Sequence, residues 1–284
     1  MEGRQRHRVK SKDLFPAIFS RHAAAYQRRL DGIMARGESL GRERAIELAG
    51  VEPGMKVIDL ACGPGNLTRR LAALAGPDGE VVGVDLAPGM IELARASAME
   101  NTRFEVMDIE RLAFPDAFFD VAVCGHGIQF APDLGQALHE ARRVLKGTGR
   151  FTASVPVTGV RESVWVLLDG VIDRLLPPAP KAVDQAATRA TVADAVALRE
   201  AALAAGFASA QVELVEETVT WASAAQLVSM FTSWWDCASR LEGLDVERRE
   251  AFSQEALETL RATFPGSITT TGRNHVLLAV AGAS

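Results

Sequence analysis

From Met55 onward, short apolar runs rich in β-branched residues alternate with stretches whose apolar positions recur every three or four residues. The pattern predicts strand 55–61, helix 66–75, strand 80–85, helix 88–97, strand 102–107, strand 118–124, helix 133–145 and strand 149–155. The strands are apolar almost throughout, as expected of a sheet covered on both faces. Right-handed crossovers between them build a parallel α/β sheet that binds ligands at its carboxyl edge. That edge gathers Gly63, Asp85, Asp108 and Cys124 from four loops. Ahead of it, 13–35 reads as one or two amphipathic helices with Phe15, Ile18, Phe19, His22, Tyr26 and Leu30 mostly on one face, and 37–48 continues as helix. Beyond 156 the signal weakens. Helix 161–176 is stopped by Pro177-Pro178-Ala179-Pro180, helix 192–205 ends at Gly206, and 210–221 alternates as a strand. A single helix over 224–241, a helix over 246–264 and a last strand over 275–281 follow. The two late strands would complete a seven-stranded sheet as a hairpin pair.

Composition narrows the class. The 284 residues are 48% hydrophobic and 24% charged, which suits a globular chain with a large core. A net charge of −5 argues against a general nucleic-acid binder. Arg4, Arg6, Arg8, Lys10 and Lys12 make the N-terminus basic, which reads as a solvated terminus or, less simply, as a binding arm. Cys62, Cys124 and Cys237 are widely spaced, with no C-x-x-C or His/Cys cluster, so no disulfide framework, zinc site or other metal is indicated. That usage fits a reducing cytoplasm. There is no membrane-length apolar run and no signal-peptide core. These features leave room for a homodimer.

The chemistry concentrates at Val57 to Asn66, V-I-D-L-A-C-G-P-G-N. A strand stops at a Gly-Pro-Gly turn, a helix follows, and Asp85 ends the next strand, which is the layout of a nucleotide-binding βαβ unit. Glycines let a ligand approach the backbone, and a carboxylate at Asp85 is placed to accept from a ribose diol. In a dinucleotide fingerprint the third glycine would stand where Thr68 stands. Asp59, inside the first strand, would repel a pyrophosphate but suits a cationic ligand. S-adenosylmethionine (SAM) carries an ammonium, a sulfonium and a ribose but no phosphate, so the pair Asp59 and Asp85 favours SAM over NAD.

Asp59 to Gly65 resembles motif I of the class I SAM-dependent methyltransferases. Val81 to Met90 resembles the following motif, Arg103 to Glu110 the third strand, Phe118 to Cys124 the fourth, and Ala141 to Arg150 the turn into the fifth, with Gly147-Thr148 in place of the usual Pro-Gly. The likeness covers about 12–155 and is nearest to the small-molecule branch with the UbiE-type quinone C-methyltransferases. It implies a Rossmann-like, seven-stranded, mostly parallel sheet with helices on both faces. The implied division is an N-terminal helical lid over 1–48, a SAM-binding core over 49–156, and 157–284 completing the sheet with a helical substrate cap. It also implies Asp85 on the ribose, Met90 beside the adenine and Asp108 on the adenine amino group. Ala61, Leu86, Ile109 and Cys124, with Gly63 and Gly65, fall on the same cofactor motifs.

Methyl transfer from SAM needs alignment and dryness, with a base where the acceptor must lose a proton. His126, between glycines just after the fourth strand, is the leading candidate base; the plain alternative is a packed loop histidine. Gln129 and Phe130 line the same loop or serve helix entry, and Tyr26 either reaches the SAM carboxylate or packs in the core. His22 is a second candidate on the substrate side. All four tryptophans lie in the second half, and Trp165, Phe231, Trp234 and Trp235 form a candidate pocket for a flat, greasy acceptor such as a quinol, polyketide or terpenoid. Trp221 reads more as cap core. Adjacent Trp234 and Trp235 cannot face one direction on a helix. The expected activity is methyl transfer to carbon or oxygen of a hydrophobic small molecule. The alternatives are a SAM-binding protein of this fold with pericyclase- or decarboxylase-like chemistry and, behind it, an NAD-dependent oxidoreductase.

Overall fold

A computed structural model describes residues 9–157 and 162–282. His7, Arg4, Arg6, Arg8 and Arg161 lie outside the described residues. The central sheet holds β1 (Lys56–Leu60), β2 (Glu80–Asp85), β3 (Thr102–Val106), β4 (Phe119–Gly125), β5 (Leu145–Val157), β6 (Ser209–Trp221) and β7 (Ile268–Val280). Their order is β3-β2-β1-β4-β5-β7-β6, with β7 antiparallel to both its neighbours and the rest parallel. The chain reverses its direction of travel across the sheet between β1 and β4. This switch point leaves a crevice at the carboxyl ends of both strands.

Helices cover both faces because the strands offer apolar side chains to both. Ile58, Leu60, Phe119, Leu138 and Phe151 belong to the core on one side, and Val57, Val81, Val123 and Leu71 to the core on the other. Three N-terminal helices, α1 (Ser11–Arg21), α2 (Ala23–Ala35) and α3 (Leu40–Ala49), precede the sheet. Helices α4 (Asn66–Ala75), α5 (Pro88–Ala96) and α6 (Leu134–Val144) make the crossovers. The expected continuous helix from 37 fails at Gly37, whose φ of +68° breaks the helical path; α3 begins at Leu40.

The second half departs most from expectation. Strand β7 starts at Ile268, seven residues early, and pairs with β6 from Ser209↔Val280 to Trp221↔Ile268. Among the described residues the last β5–β7 pair is Val157↔Arg273. The β6–β7 hairpin runs on past it, from Glu217↔Gly272 to Trp221↔Ile268, as an overhang. Helices α7 (Ser163–Leu175), α10 (Ala224–Phe231) and α12 (Val246–Thr263) pack on the overhang around Phe252, Leu168, Leu227 and Leu260. Helix 192–205 is two helices, α8 (Ala186–Ala193) and α9 (Ala195–Ala204), because Asp194 turns out and caps the Val196 and Ala197 amides. Helix 224–241 is also two. It ends at Phe231, and α11 (Trp235–Glu242) restarts after an extended Trp234 at ψ 141°. No helix among the described residues is long and apolar enough to cross a membrane.

Phe252 is fully buried at the centre of the overhang cluster. Replacing it with alanine removes ring contacts that the surrounding helices cannot refill, with an expected loss of about 3–5 kcal/mol of unfolding free energy in urea titration. A loss below about 1 kcal/mol would mean that the α7–α10–α12 cluster is not a packed unit.

Candidate functional site at the strand tips

After β1 the chain turns through Ala61, Gly63 and Gly65, all at positive φ. The two glycines differ in purpose. A Cβ on Gly63 would meet nothing nearer than the Tyr26 ring at 3.8 Å, so the turn leaves open space beneath Tyr26. A Cβ on Gly65 would strike the Phe104 ring at 2.9 Å; this glycine serves packing and stands off the cavity. Gly127 is a packing glycine too, with Ala61 Cβ 2.4 Å from where its Cβ would be.

The crevice holds a cavity of about 930 Å³. Asp59, Ala61, Gly63, Asp85, Leu86, Met90, Asp108, Ile109 and Tyr26 line it, and Cys124 is buried behind it. Asp59 is 1% exposed and accepts a 2.6 Å hydrogen bond from the Thr68 hydroxyl. Thr68, where a dinucleotide fold would place glycine, is therefore the clamp on the acid. Asp85 accepts from the Gly63 and Ala87 amides at 2.9 and 2.8 Å. Burial pushes the Asp59 carboxyl up to about 7, against the Thr68 bond and with help from the charge of Asp85. Burial raises Asp85 as well, against its two backbone bonds.

Asp108 pairs with Lys12 at 2.6 Å, and the same ammonium reaches Glu110 at 2.5 Å, so α1 is tied across the mouth of the cavity. Helix α1 also seats on the start of α5. The Ser20 hydroxyl accepts from the Gly89 amide, and a Cβ on Gly89 would lie 2.6 Å from the Ser20 carbonyl oxygen.

A second cavity, of about 2280 Å³ and open to solvent, lies under the overhang. It shares Phe19, Tyr26, Leu30, Arg42, His126 and Phe130 with the first, so these side chains form the partition between two adjoining spaces. Gln129, Trp165, Trp234 and Trp235 line the larger space. Trp165 and Trp234 stack at 5.4 Å and 22°. Both adjacent indoles reach the cavity because the helix breaks between Phe231 and Trp235, which removes the helical geometry that would have splayed them. Trp221 lines it as well, its indole donating to Thr270. Phe231 and His22 line neither space: Phe231 is buried in the overhang core, and His22 sits at the α1–α2 junction, 3.5 Å from Glu242.

His126 has φ +65°, its amide donates to the Ser154 carbonyl, and its Nε2 is buried without a partner. Burial and the nearby Arg42 cation hold its pKa well below 6.5, outweighing Asn274, and Arg29 adds to the effect. The imidazole is neutral at physiological pH.

Two cations escaped the sequence reading. Arg42 is 8% exposed, bonds the Ser39 hydroxyl, and has no carboxylate within ion-pair distance among the described residues. Its signal was present: Arg42, Ala45, Ile46 and Ala49 form the buried stripe of α3, with an arginine at a core position. Arg29 was hidden in the doublet Arg28-Arg29.

A methyltransferase-domain model matches residues 57–149. The chain is 37% identical over 139 residues to the ubiquinone/menaquinone biosynthesis C-methyltransferase UbiE of Ectopseudomonas mendocina, covering 47% of this chain and 54% of that one. It is 33% identical over 162 residues to the demethylmenaquinone methyltransferase of Staphylococcus aureus, covering 55% of this chain and 67% of the relative. The chain belongs to the class I SAM-dependent methyltransferases. The match spans about half the length of the Ectopseudomonas relative. The YcgJ protein of Bacillus subtilis shares the fold of this methyltransferase, with a TM-score of 0.54 at 21% identity over 86% of this chain and 98% of that one.

The strand-tip site fits the family's cofactor on its own evidence. An acid and an unpaired arginine face one cavity, matching a ligand end that is both ammonium and carboxylate. Asp85 keeps lone pairs beyond its two backbone bonds, and the space over Gly63 is clear. An ammonium favours the ionised acid, so if it pairs with Asp59, binding releases the Asp59 proton between the lowered pKa of the complex and the free-protein value of about 7. Affinity for S-adenosylhomocysteine should therefore rise with pH up to about 7 and level off above it. Calorimetry at pH 6 in buffers of different ionisation enthalpy should show release of about one proton, shrinking toward zero by about pH 8 and absent in Asp59→Asn. A pH-independent proton count would disprove the pairing of Asp59 with the ammonium.

Proposed function

We propose that this protein transfers the methyl group of SAM to a hydrophobic small molecule held in the larger cavity, with α1 and α2 as the lid and α7 with α10–α12 as the cap. The observation that carries this reading is the shared wall: one space has the cofactor's charge pattern, the adjoining one is walled by stacked indoles, and His126 stands between them. The names of the two relatives, both quinone-pathway methyltransferases, favour a flat quinol-like acceptor within that class.

The proposed roles follow from position. Asp59 accepts from the ammonium, Arg42 pairs with the amino-acid carboxylate, and Asp85 accepts from the ribose hydroxyls. Leu86, Met90 and Ile109 flank the adenine with Asp108 at its edge, and Tyr26 closes over Gly63. When bound, the cofactor supplies a methyl group on a sulfonium, an electrophile with a good leaving group. The chain's work is then to fix the acceptor in line, keep water out and receive a proton. The aromatic partition of Phe19, Tyr26 and Phe130 keeps the junction apolar. His126 Nε2, neutral and without a partner, takes the proton the acceptor loses.

His126→Ala should lower kcat by about 10²–10⁴-fold while S-adenosylhomocysteine affinity stays within about twofold. In the parent, the depressed imidazole pKa should keep activity from falling as pH drops through 6.5, since the base form persists below that value. Full turnover in the variant would remove His126 from the chemistry.

A further inference from the structure

The larger cavity contains a cation that lies outside the strand-tip space. Arg29, on α2, lines this space and not the smaller one. Its guanidinium lies 4.6 Å from the centre of the Tyr26 ring and 6.0 Å from that of Trp234. Among the described residues, no carboxylate comes within ion-pair distance of it. Of the acids lining the same space, three are engaged elsewhere: Glu162 accepts from the Trp165 indole and the Thr271 amide, Glu216 pairs with Arg273, and Glu217 accepts from the Gly41 amide. The fourth, Asp236, turns its Oδ2 to Arg240 at 3.8 Å and leaves its buried Oδ1 without a partner. A guanidinium held against aromatic faces with no anion is costly unless something else completes it.

Asn274 supplies an independent sign. It sits on β7 opposite Pro156 of β5, is 1% exposed, and lines the larger cavity, and apart from an interaction with the His126 imidazole its amide nitrogen and oxygen have no hydrogen-bond partner. A Cβ on Gly41 would lie 2.7–2.8 Å from its side chain, so the amide is wedged in place. Gln129 Oε1, in the same wall, is unpartnered too, and His126 Nε2 has no partner beyond that interaction with Asn274. Buried polar groups are almost always satisfied in a folded protein, so a group of orphans around one cavity marks where a ligand's polar atoms go.

We infer that the methyl acceptor binds as an oxyanion: a flat, largely apolar molecule carrying a carboxylate or an ionised enol or phenol oxygen, which pairs with Arg29 while the Asn274 amide donates to it. This assignment rests on the methyltransferase reading above and narrows its substrate class. The indole stack of Trp165 and Trp234 takes the ring system, and Arg29 lies against the second of those indoles. A planar guanidinium fork recognises a carboxylate or a pair of oxygens better than a neutral carbonyl, and the site would reject neutral isosteres because binding them leaves the cation unpaired. The anion also serves the base. Arg29 and Arg42 depress the His126 pKa in the free protein, and a bound negative charge beside Arg29 offsets that field when the acceptor is in place.

The test measures binding to the full chain saturated with S-adenosylhomocysteine, by quenching of tryptophan fluorescence near neutral pH. The probes are hydroxynaphthoate and its methyl ester for the carboxylate form, and hydroxynaphthoquinone and its methyl ether for the enolate form. At least one acid should bind about tenfold or more tightly than its neutral partner, and the acid that does so identifies the kind of oxyanion. Arg29→Gln should cut that preference to less than about twofold with S-adenosylhomocysteine affinity unchanged, and Arg29→Lys should keep part of it. Equal binding of acids and neutral partners by the parent overturns the inference without any variant, as does undetectable binding of both acids or a preference that survives in Arg29→Gln. Failure of S-adenosylhomocysteine itself to bind would instead overturn the methyltransferase reading, so the two are separable.

Discussion

Two carboxylates at the tips of β1 and β2, Asp59 buried and Asp85 partly so, set the terms for the rest of this structure. Burial raises the cost of ionising both, and the charge of Asp85 adds to that of Asp59. The fold holds them with directed hydrogen bonds, not counter-ions. Thr68 reaches back from the first turn of α4 to Asp59, and the turn amides of Gly63 and Ala87 converge on Asp85. The glycine turn, its threonine and the start of α5 therefore form one hydrogen-bonded assembly around stored negative charge. Arg42 stands across the cavity close enough for its field to favour the ionised form of Asp59. The arrangement is unbalanced in the free protein and is completed by a ligand with charges of both signs.

The same logic explains what the sequence disclosed and what it hid. Strands buried on both faces leave mainly apolar runs, so β1, β2 and β4 could be read directly, and the acids at the ends of β1 and β2 followed from the turn spacing. Gly63 and Gly65 look equivalent in a motif. Only the packing shows that one clears space below Tyr26 while the other avoids Phe104. Thr68 looked like a missing glycine and proved to be the partner of Asp59. The break between α10 and α11 carries no proline or glycine, and Thr232-Ser233 gives little local warning. The early start of β7 was equally quiet, because Ile268 to Thr271 gains its strand character from pairing with β6. Arg29 and Arg42 were legible only as charges on helices; what makes them functional candidates is that, among the described residues, no carboxylate comes within ion-pair distance of either.

His126 shows how a loop residue is aimed. A non-glycine residue at φ +65° is strained, and here the strain is held by the amide bond to Ser154 on β5 and by Gly127 wedged against Ala61 and Cys124. The carboxyl end of β4 thereby delivers an imidazole to the wall shared by both cavities. The glycine turn after β1 and the histidine after β4 flank the switch point, so one reversal of strand order places both the cofactor cradle and the candidate base.

The division between the two cavities is also a division of the chain. Most of the wall around the acids comes from the strand-tip loops inside 57–149, the stretch matched by the methyltransferase-domain model. Of the larger cavity's lining, only His126, Gln129 and Phe130 fall within that stretch; the remainder comes from the N-terminal helices and from the overhanging hairpin with its helices. Similarity confined to 57–149 therefore speaks for the cofactor and is nearly silent on the acceptor. On the proposed reading, the acceptor's chemistry is set by residues that the sheet brings in from both ends of the chain: the cation and tyrosine of α2, the amide on β7, and the indoles freed by the break before α11. A relative could keep every strand-tip acid and still act on a different molecule by changing Arg29, Asn274 and Trp234, because none of these three helps to hold Asp59 or Asp85 in place.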